Sequence, residues 1–169
     1  MSDLKGTQTE KDLQEAFAGE SQANRKYLAF AKQAEKEGYS QVAKLFRAAA
    51  EAETIHAHNH LRALGGINST AENLQEALDG EIHEFKNMYP DMIEHARKEG
   101  IKAGERTFRY ANVVEKVHSG LYRKALENLE NLKETDYYVC SVCGYTCEDE
   151  APDRCPVCNA KGSAFFMVE

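Results

Sequence analysis

The chain has 169 residues, 42% hydrophobic and 29% charged, which suits one ordinary domain, or one with a small appendage, and excludes a disordered chain. A formal charge of -7 excludes the basic surface that non-specific nucleic-acid binding requires. No run of about 18 apolar residues offers a membrane span, and the polar stretch Met1 to Thr9 has no apolar segment behind it, so neither a span nor a secretory signal is predicted and the expected compartment is the cytoplasm.

Thr7-Gln-Thr-Glu10 has the form of a capping box, and a helix is predicted behind it as far as Glu37, where Gly38 stops it. Its inward stripe is Leu13, Phe17, Glu20, Asn24, Tyr27, Ala31 and Ala34, spaced by threes and fours. Ser40 is the expected cap of a second helix with stripe Val42, Leu45, Ala49, Glu53, His56, His60 and Ala63, ended by Gly65 and Gly66. Ser69-Thr-Ala-Glu72 is a second capping box. It opens a third helix carrying Leu74, Leu78, Glu81, Phe85, Met88 and Met92, with Pro90 a candidate kink. The fourth helix, from about Ile101 to Leu132, presents Phe108, Ala111, Glu115, His118, Tyr122, Ala125 and Leu129. Four helices joined by short turns predict a bundle.

The helices repeat in pairs. Glu53 and His56 match Glu115 and His118, Tyr27 matches Tyr89, and Glu37-Gly38 matches Glu99-Gly100, all at an offset of 62, whereas Glu20 matches Glu81 at 61. One extra residue therefore lies between Glu81 and Tyr89, and a π-bulge is the expected way for a helix to absorb it.

Glu20, Glu53, Glu81 and Glu115 stand where the stripes call for apolar side chains, and Glu84 follows Glu81 by three. Glutamate is rarely buried unpaired, and an uncompensated buried charge costs several kcal/mol. Five of them would roughly cancel the stability of a domain. No lysine or arginine falls on these stripes near the acids, so a pair of metal ions is the economical counter-charge. Two Glu-x-x-His pairs with two further glutamates form the ligand set of ferritin-like di-iron and di-manganese bundles. Glu20 and Glu81 are the single acids here. His58, His83 and His95 are expected on surfaces, and His56 with His60 forms an alternative zinc pair that lacks a third ligand. Tyr27 and Tyr89 are expected to donate hydrogen bonds to the carboxylates.

After Leu132 the character changes. Lys133 to Asp136 is a polar linker, and Tyr137 to Glu169 is too short to hold a core without a staple. All five cysteines lie between Cys140 and Cys158, an odd and clustered set that favours metal ligation over disulfides. Cys140-Ser-Val-Cys143 and Cys155-Pro-Val-Cys158 are two knuckles of a tetrahedral thiolate site, for zinc or for iron. Cys147, between them, is expected to be a small buried thiol.

With these motifs in hand, the sequence resembles the rubrerythrin family. The residues that carry the resemblance are Ala16-Phe-Ala-Gly-Glu-Ser-Gln-Ala-Asn-Arg-Lys-Tyr27, the two Glu-x-x-His pairs, Gly80-Glu-Ile-His-Glu84 followed by Met88-Tyr-Pro90, Cys-x-x-Cys-Gly-Tyr and Cys-Pro-x-Cys. They span nearly the whole chain. Departures are small: Cys147 is unusual, and the 11 residues between the knuckles are few.

The resemblance implies an all-α ferritin-like four-helix bundle over residues 1–133. It also implies a rubredoxin-like metal-binding domain of short β-strands and loops over residues 134–169. Implied with it is an enzyme that reduces hydrogen peroxide to water for protection against oxidative stress. Its cofactors would be two non-haem irons in the bundle and one iron held by Cys140, Cys143, Cys155 and Cys158, which passes electrons on. Glu53 and Glu115 would bridge the irons, Glu20 and Glu81 would be terminal ligands, and His118 would bind one iron. The other iron would exchange Glu84 for His56. Charge gives the exchange a reason: four carboxylates balance two ferrous ions, and oxidation adds two positive charges that favour a fifth carboxylate over a neutral imidazole. Glu84, His56, Tyr27 and Tyr89 are then the expected catalytic residues.

Expected partners are hydrogen peroxide and a separate electron donor, a rubredoxin or its NAD(P)H-linked reductase, with no nucleic acid and no membrane. His118 to Leu132 spans 14 residues, roughly 21 Å of helix. That length predicts a cysteine centre far from its own acids, and hence a head-to-tail homodimer. An iron-storage bundle and an inert scaffold with a zinc ribbon are the rival readings.

Overall fold

The computed structural model describes residues 4–169; residues 1–3, the head of the polar N-terminal stretch, lie outside the described residues. The chain divides into two compact units, one ending at Asn68 and the other Ser69–Glu169.

The first unit is a hairpin of α1 (Gln8–Lys36) and α2 (Ser40–Ala63). Thr7 caps α1 by accepting from the Glu10 amide, while the Glu10 carboxylate takes the Gly6 amide instead of closing the box on Thr7. Ser40 is not a cap: it is the first residue of α2, behind Tyr39, which makes no side-chain cap. The turn between the helices closes with the Tyr39 amide on the Ala34 carbonyl at 2.8 Å. Gly38 takes the left-handed conformation that this closure needs.

Ala31 and Ala34 of α1 are buried, with Ala43, Ala50 and Ala57 of α2. Small side chains let two helix backbones approach closely. The stripe expected for α2 therefore lies one position away from the buried one, and Val42 and Leu45 remain exposed. Asn24 is the buried polar residue of this unit. It donates to the Ala50 carbonyl at 2.7 Å and the Thr54 hydroxyl at 2.8 Å, so its amide is satisfied inside the alanine seam.

The second unit begins with α3 (Thr70–His83), whose Ser69–Glu72 capping box is complete. A π-helical turn, Glu84–Met88, follows and leads into α4 (Tyr89–Glu99). The Tyr89 amide reaches back five residues to the Glu84 carbonyl, so the extra residue inferred from the repeat is absorbed where it was predicted. Pro90 does not end the rod. It falls in the first turn of α4, directly behind the π turn, and the backbone at Met88 and Tyr89 stays right-handed helical. The turn at Gly100 repeats the one at Gly38, with the Ile101 amide on the Ala96 carbonyl at 2.9 Å. α5 (Lys102–Glu127) returns along α4 and α3. Four helical rods are thus present, the third built from α3, the π turn and α4.

A 3-10 turn at Leu129–Asn131 precedes β1 (Tyr137–Cys140), β2 (Thr146–Glu148) and β3 (Phe165–Met167). They form an antiparallel sheet in the order β2-β1-β3, with Tyr138 opposite Cys147 and Met167. The linker does not carry the cysteine segment away. The chain reverses, and β2 lies against α5, where the Lys124 ammonium meets the Glu148 carboxylate at 2.7 Å. The separation inferred from helix length is therefore corrected: it assumed that the chain continued outward past Leu132. Among the described residues no helix is long and apolar enough to cross a membrane.

Candidate metal centres

Within the first unit, Glu20, Glu53 and His56 converge so that one ligand atom from each lies within 4.8 Å of the others. His56 Nδ1 stands 2.9 Å from Glu53 Oε2 and 3.8 Å from Glu20 Oε1. The second unit holds a near copy. His118 Nδ1 is 2.8 Å from Glu115 Oε2 and 3.6 Å from Glu81 Oε1. The repeat read from the sequence is thus a repeat of chemistry: each hairpin supplies two carboxylates and an imidazole from two facing helices.

The glutamates are half-buried, not sealed, so their desolvation is milder than the inward stripes suggested; the Glu81 and Glu115 side chains keep 17% and 16% of their surface. Among the described residues, the ion pairs of Glu20, Glu53, Glu81 and Glu115 are to histidine only. Burial, a shared hydrogen bond with Glu115 and the charges of Glu115 and Glu84 push the Glu81 carboxyl up to about 8. Its Oε2 is buried with no hydrogen-bond partner. An orphaned carboxylate oxygen beside a second acid and an imidazole fits a cation as the missing partner. The donor set of carboxylate oxygen and imidazole nitrogen suits iron, manganese or zinc.

Glu84 lies at the head of the π turn and is raised by burial and by the Glu115 charge, which the nearby His83 and His118 partly offset. Tyr89 packs its ring on Phe108 at 6.3 Å, and burial with the charges of Glu84, Glu115 and Glu81 raises its phenol. Tyr27 belongs to an aromatic cluster with Phe46 and Phe30, at 6.1 and 6.4 Å. No hydrogen bond joins its hydroxyl to a glutamate among the described residues. His60 joins neither cluster, and His58, His83 and His95 are exposed.

Two residues were given no role at the site from the sequence, one on the predicted stripe and one off it. Tyr122, whose phenol is raised by burial and by the charges of Glu81 and Glu115, stands four residues after His118 and so on the same helix face, a signal that was available. Thr146, whose hydroxyl lies 3.0 Å from His118 Nε2, comes from 28 residues downstream and leaves no local trace.

The cysteine site is built from two matching knuckles. Cys140 N–H donates to the Tyr145 carbonyl and Gly144 N–H to the Cys140 carbonyl, at 2.9 and 2.8 Å. In the second knuckle Cys155 N–H donates to the Ala160 carbonyl and Asn159 N–H to the Cys155 carbonyl, at 2.8 and 2.9 Å. Gly144 and Asn159 both take positive φ, 83° and 61°, which turns each loop so that its two sulfurs converge. All four sulfurs lie within 4.8 Å of one another, with Cys140 to Cys158 at 3.7 Å and Cys143 to Cys155 at 3.5 Å. A tetrahedron with metal–sulfur bonds of about 2.3 Å has edges of about 3.8 Å, so the cluster is already close to ligand geometry.

Burial pushes the Cys143 thiol up; at Cys155 the backbone amides of Cys158 and Val157 outweigh burial and lower it. Cys147 points elsewhere, its sulfur 3.4 Å from the Glu150 carbonyl. Burial and the charge of Cys155 raise it, as befits a protonated thiol.

Fold and sites together define a helical carboxylate–histidine metalloprotein that carries a four-thiolate iron domain. The rubrerythrin family model matches residues 11–126, and the model described as the rubredoxin-like domain of rubrerythrin matches residues 138–166. The chain belongs to the rubrerythrin family, oxidoreductases that join a di-iron site to a rubredoxin-like domain.

It is 37% identical to rubrerythrin-2 of Clostridium acetobutylicum over 179 residues, covering 96% of this chain and 97% of that one. Rubrerythrin of Porphyromonas gingivalis is 39% identical over 182 residues, at 96% and 90% coverage. Among solved structures, nigerythrin in a fully reduced, all-ferrous state is similar with a TM-score of 0.59 and 32% identity, covering 99% of this chain and 91% of that one. The mixed-valence form of nigerythrin gives a TM-score of 0.58 at the same identity and coverage.

Proposed function

We propose that this chain is a non-haem di-iron peroxidase that reduces hydrogen peroxide to water, taking two electrons and two protons per peroxide and protecting its cell against oxidative stress. The observation that carries the proposal is the docking of β2, the strand that leaves the first cysteine knuckle, on α5 at His118. A thiolate iron site has a use there only if electrons are handed to the acids beside it. Iron storage has no need of such a contact.

Glu20 and Glu81 are assigned as terminal ligands, Glu53 and Glu115 as the shared carboxylates, and His118 as a fixed ligand. Glu84 and His56 are assigned as alternates that answer the change in charge between ferrous and ferric pairs. Two ferrous ions held by these residues would supply the two electrons that peroxide reduction takes. The chain's own part is to manage protons. Tyr89 and Tyr122, with raised phenols, stay protonated at neutral pH and serve as hydrogen-bond donors toward the carboxylates. Glu81, pushed up to about 8, can hold a proton near neutrality and release it, and Glu84 beside it is raised in the same direction by burial and the Glu115 charge. Tyr27 is assigned the corresponding donor role on α1.

Residues 1–133 and 134–169 are assigned as the two domains, a division supported by the family matches at 11–126 and 138–166. Electrons are proposed to arrive from a separate rubredoxin or its NAD(P)H-linked reductase, in the cytoplasm. A head-to-tail homodimer loses its original reason, because the cysteine domain meets His118 of its own chain. It is retained on the exposed Val42, Leu45 and Ile55 of α2, and sedimentation at micromolar concentration tests it.

The deciding experiment is metal analysis with anaerobic titration of the reduced protein by peroxide. About three irons per chain and stoichiometric, repeatable reoxidation support the proposal. Iron release or mineral growth would favour storage, and zinc alone with no reaction would favour an inert scaffold.

A further inference from the structure

Thr146, on β2, stands between the first cysteine knuckle and α5. Its hydroxyl has one proton, which it donates to the Gly144 carbonyl at 3.1 Å. Toward His118 Nε2, 3.0 Å away, it can then only accept. With the hydroxyl proton on the Gly144 carbonyl, Nε2 carries the imidazole proton and the Nδ1 lone pair is directed at Glu115 Oε2 and Glu81 Oε1, 2.8 and 3.6 Å away. A lone pair facing two carboxylates is repelled unless a cation lies between them, so this tautomer suits metal ligation through Nδ1 and little else.

We propose that Thr146 is a positioning residue: it locks His118 as the Nε2–H tautomer and joins that imidazole, through the Gly144 carbonyl, to Cys143. The proposal rests on the di-iron reading above. The route runs from the Cys143 sulfur through its own backbone to the Gly144 carbonyl, then over two hydrogen bonds to His118, without leaving the chain. One electron at a time can follow it, from reduced thiolate iron to oxidised carboxylate iron, and no proton on the route changes its atom. The separate donor protein re-reduces the thiolate iron.

Two features hold the parts in register. Lys124 grips Glu148 two residues further along β2. Gly144, at φ 83°, runs close to the buried Val114 of α5, whose Cγ1 would lie 3.8 Å from a Cβ at that glycine.

The test uses the full chain in two metal forms. In zinc-loaded, 15N-histidine-labelled protein, long-range proton–nitrogen spectra are expected to report His118 with Nε2 protonated, slow to exchange, and Nδ1 on metal. Thr146→Val, which keeps the shape and removes the hydroxyl, is expected to speed that exchange and weaken zinc binding in the bundle about 10- to 100-fold, while Thr146→Ser restores both. In iron-loaded protein, flash reduction of the thiolate iron is expected to be followed by transfer to the di-iron site at least tenfold slower in Thr146→Val, with the thiolate absorption unchanged.

Unaltered exchange, affinity and transfer in Thr146→Val would overturn the proposal. If the native iron protein ignores peroxide yet the zinc-form spectra still depend on Thr146, the peroxidase reading fails and the positioning role stands.

Discussion

Glu81→Gln is expected to stabilise the metal-free protein in alkali while removing a proposed metal ligand. Its carboxyl is raised from 4.5 to about 8 by burial first, then by the hydrogen bond and charge of Glu115 and the charge of Glu84. A rise of roughly 3.5 pH units at 1.36 kcal/mol each is about 5 kcal/mol. The side chain keeps 17% of its surface in water, and solvent screening brings the effect to roughly 2 to 3 kcal/mol.

The sign follows from linkage. Below pH 4.5 both the folded and the unfolded chain hold Glu81 protonated, and the native protein matches the glutamine variant. Between pH 4.5 and 8 the unfolded chain ionises first, so the native protein loses stability relative to the variant. Above 8 the full difference is present. Urea unfolding of chelator-treated protein at pH 4, 6, 7.5 and 9 measures it. With a slope of about 2 kcal/mol per molar urea, the midpoint of Glu81→Gln should exceed the native one by about 1 M at pH 9 and coincide with it at pH 4. A difference that stays flat across this range would refute the account of Glu81 as an acid short of a cation.

Glu84→Ala is expected to keep both bundle irons and to slow peroxide turnover by at least tenfold, measured by metal analysis beside stopped-flow reoxidation; unchanged kinetics would remove Glu84 from the ligand exchange. Cys155→Ser should abolish the thiolate–iron absorption and melt the small sheet, because that segment has little core apart from its metal, while the helical circular dichroism persists. Deleting Lys86 from the π turn should restore a regular α-helical ladder at unchanged helix content. It would rotate Tyr89 and the rest of α4 relative to Glu81 and Glu84 by about 100°, so the Tyr89 phenol should be carried away from the acids and turnover should fall.

What could be read from the sequence, and what could not, follows the range of the interactions. Caps are local: Thr7 and Ser69 announced two helix starts because the side chain and amide involved are three residues apart. The π turn was legible because the internal repeat supplied a ruler, and one surplus residue between Glu81 and Tyr89 had to go somewhere. The alanine seam of α2 was missed because larger side chains were assumed to point inward, whereas Ala43, Ala50 and Ala57 let α1 and α2 come close and leave Val42 and Leu45 outside. The docking of β2 on α5 depends on Thr146 meeting His118 and Glu148 meeting Lys124, contacts across 28 and 24 residues. No periodicity encodes such pairs, and helix length alone pointed the other way.

The two Glu-x-x-His pairs are indistinguishable as sequence, and the structure separates them. His118 keeps 27% of its side-chain surface, with Nδ1 turned to Glu115 and Nε2 held from behind by Thr146. His56 keeps 54% and is held through Nδ1 alone, by Glu53. An imidazole held from behind through Nε2 cannot swing without breaking that hydrogen bond, whereas one with nothing behind it can turn away from its carboxylate at small cost. Of the two imidazoles His56 is therefore the looser, as its proposed role as the exchangeable ligand requires. Glu84 belongs to the helical segment whose ladder is already disturbed by the π turn, where a side chain can be re-aimed without unwinding the rod. The proposed exchange thus falls on the looser groups, and His118, which the proposal joins through Thr146 to the cysteine knuckle, is the one kept still.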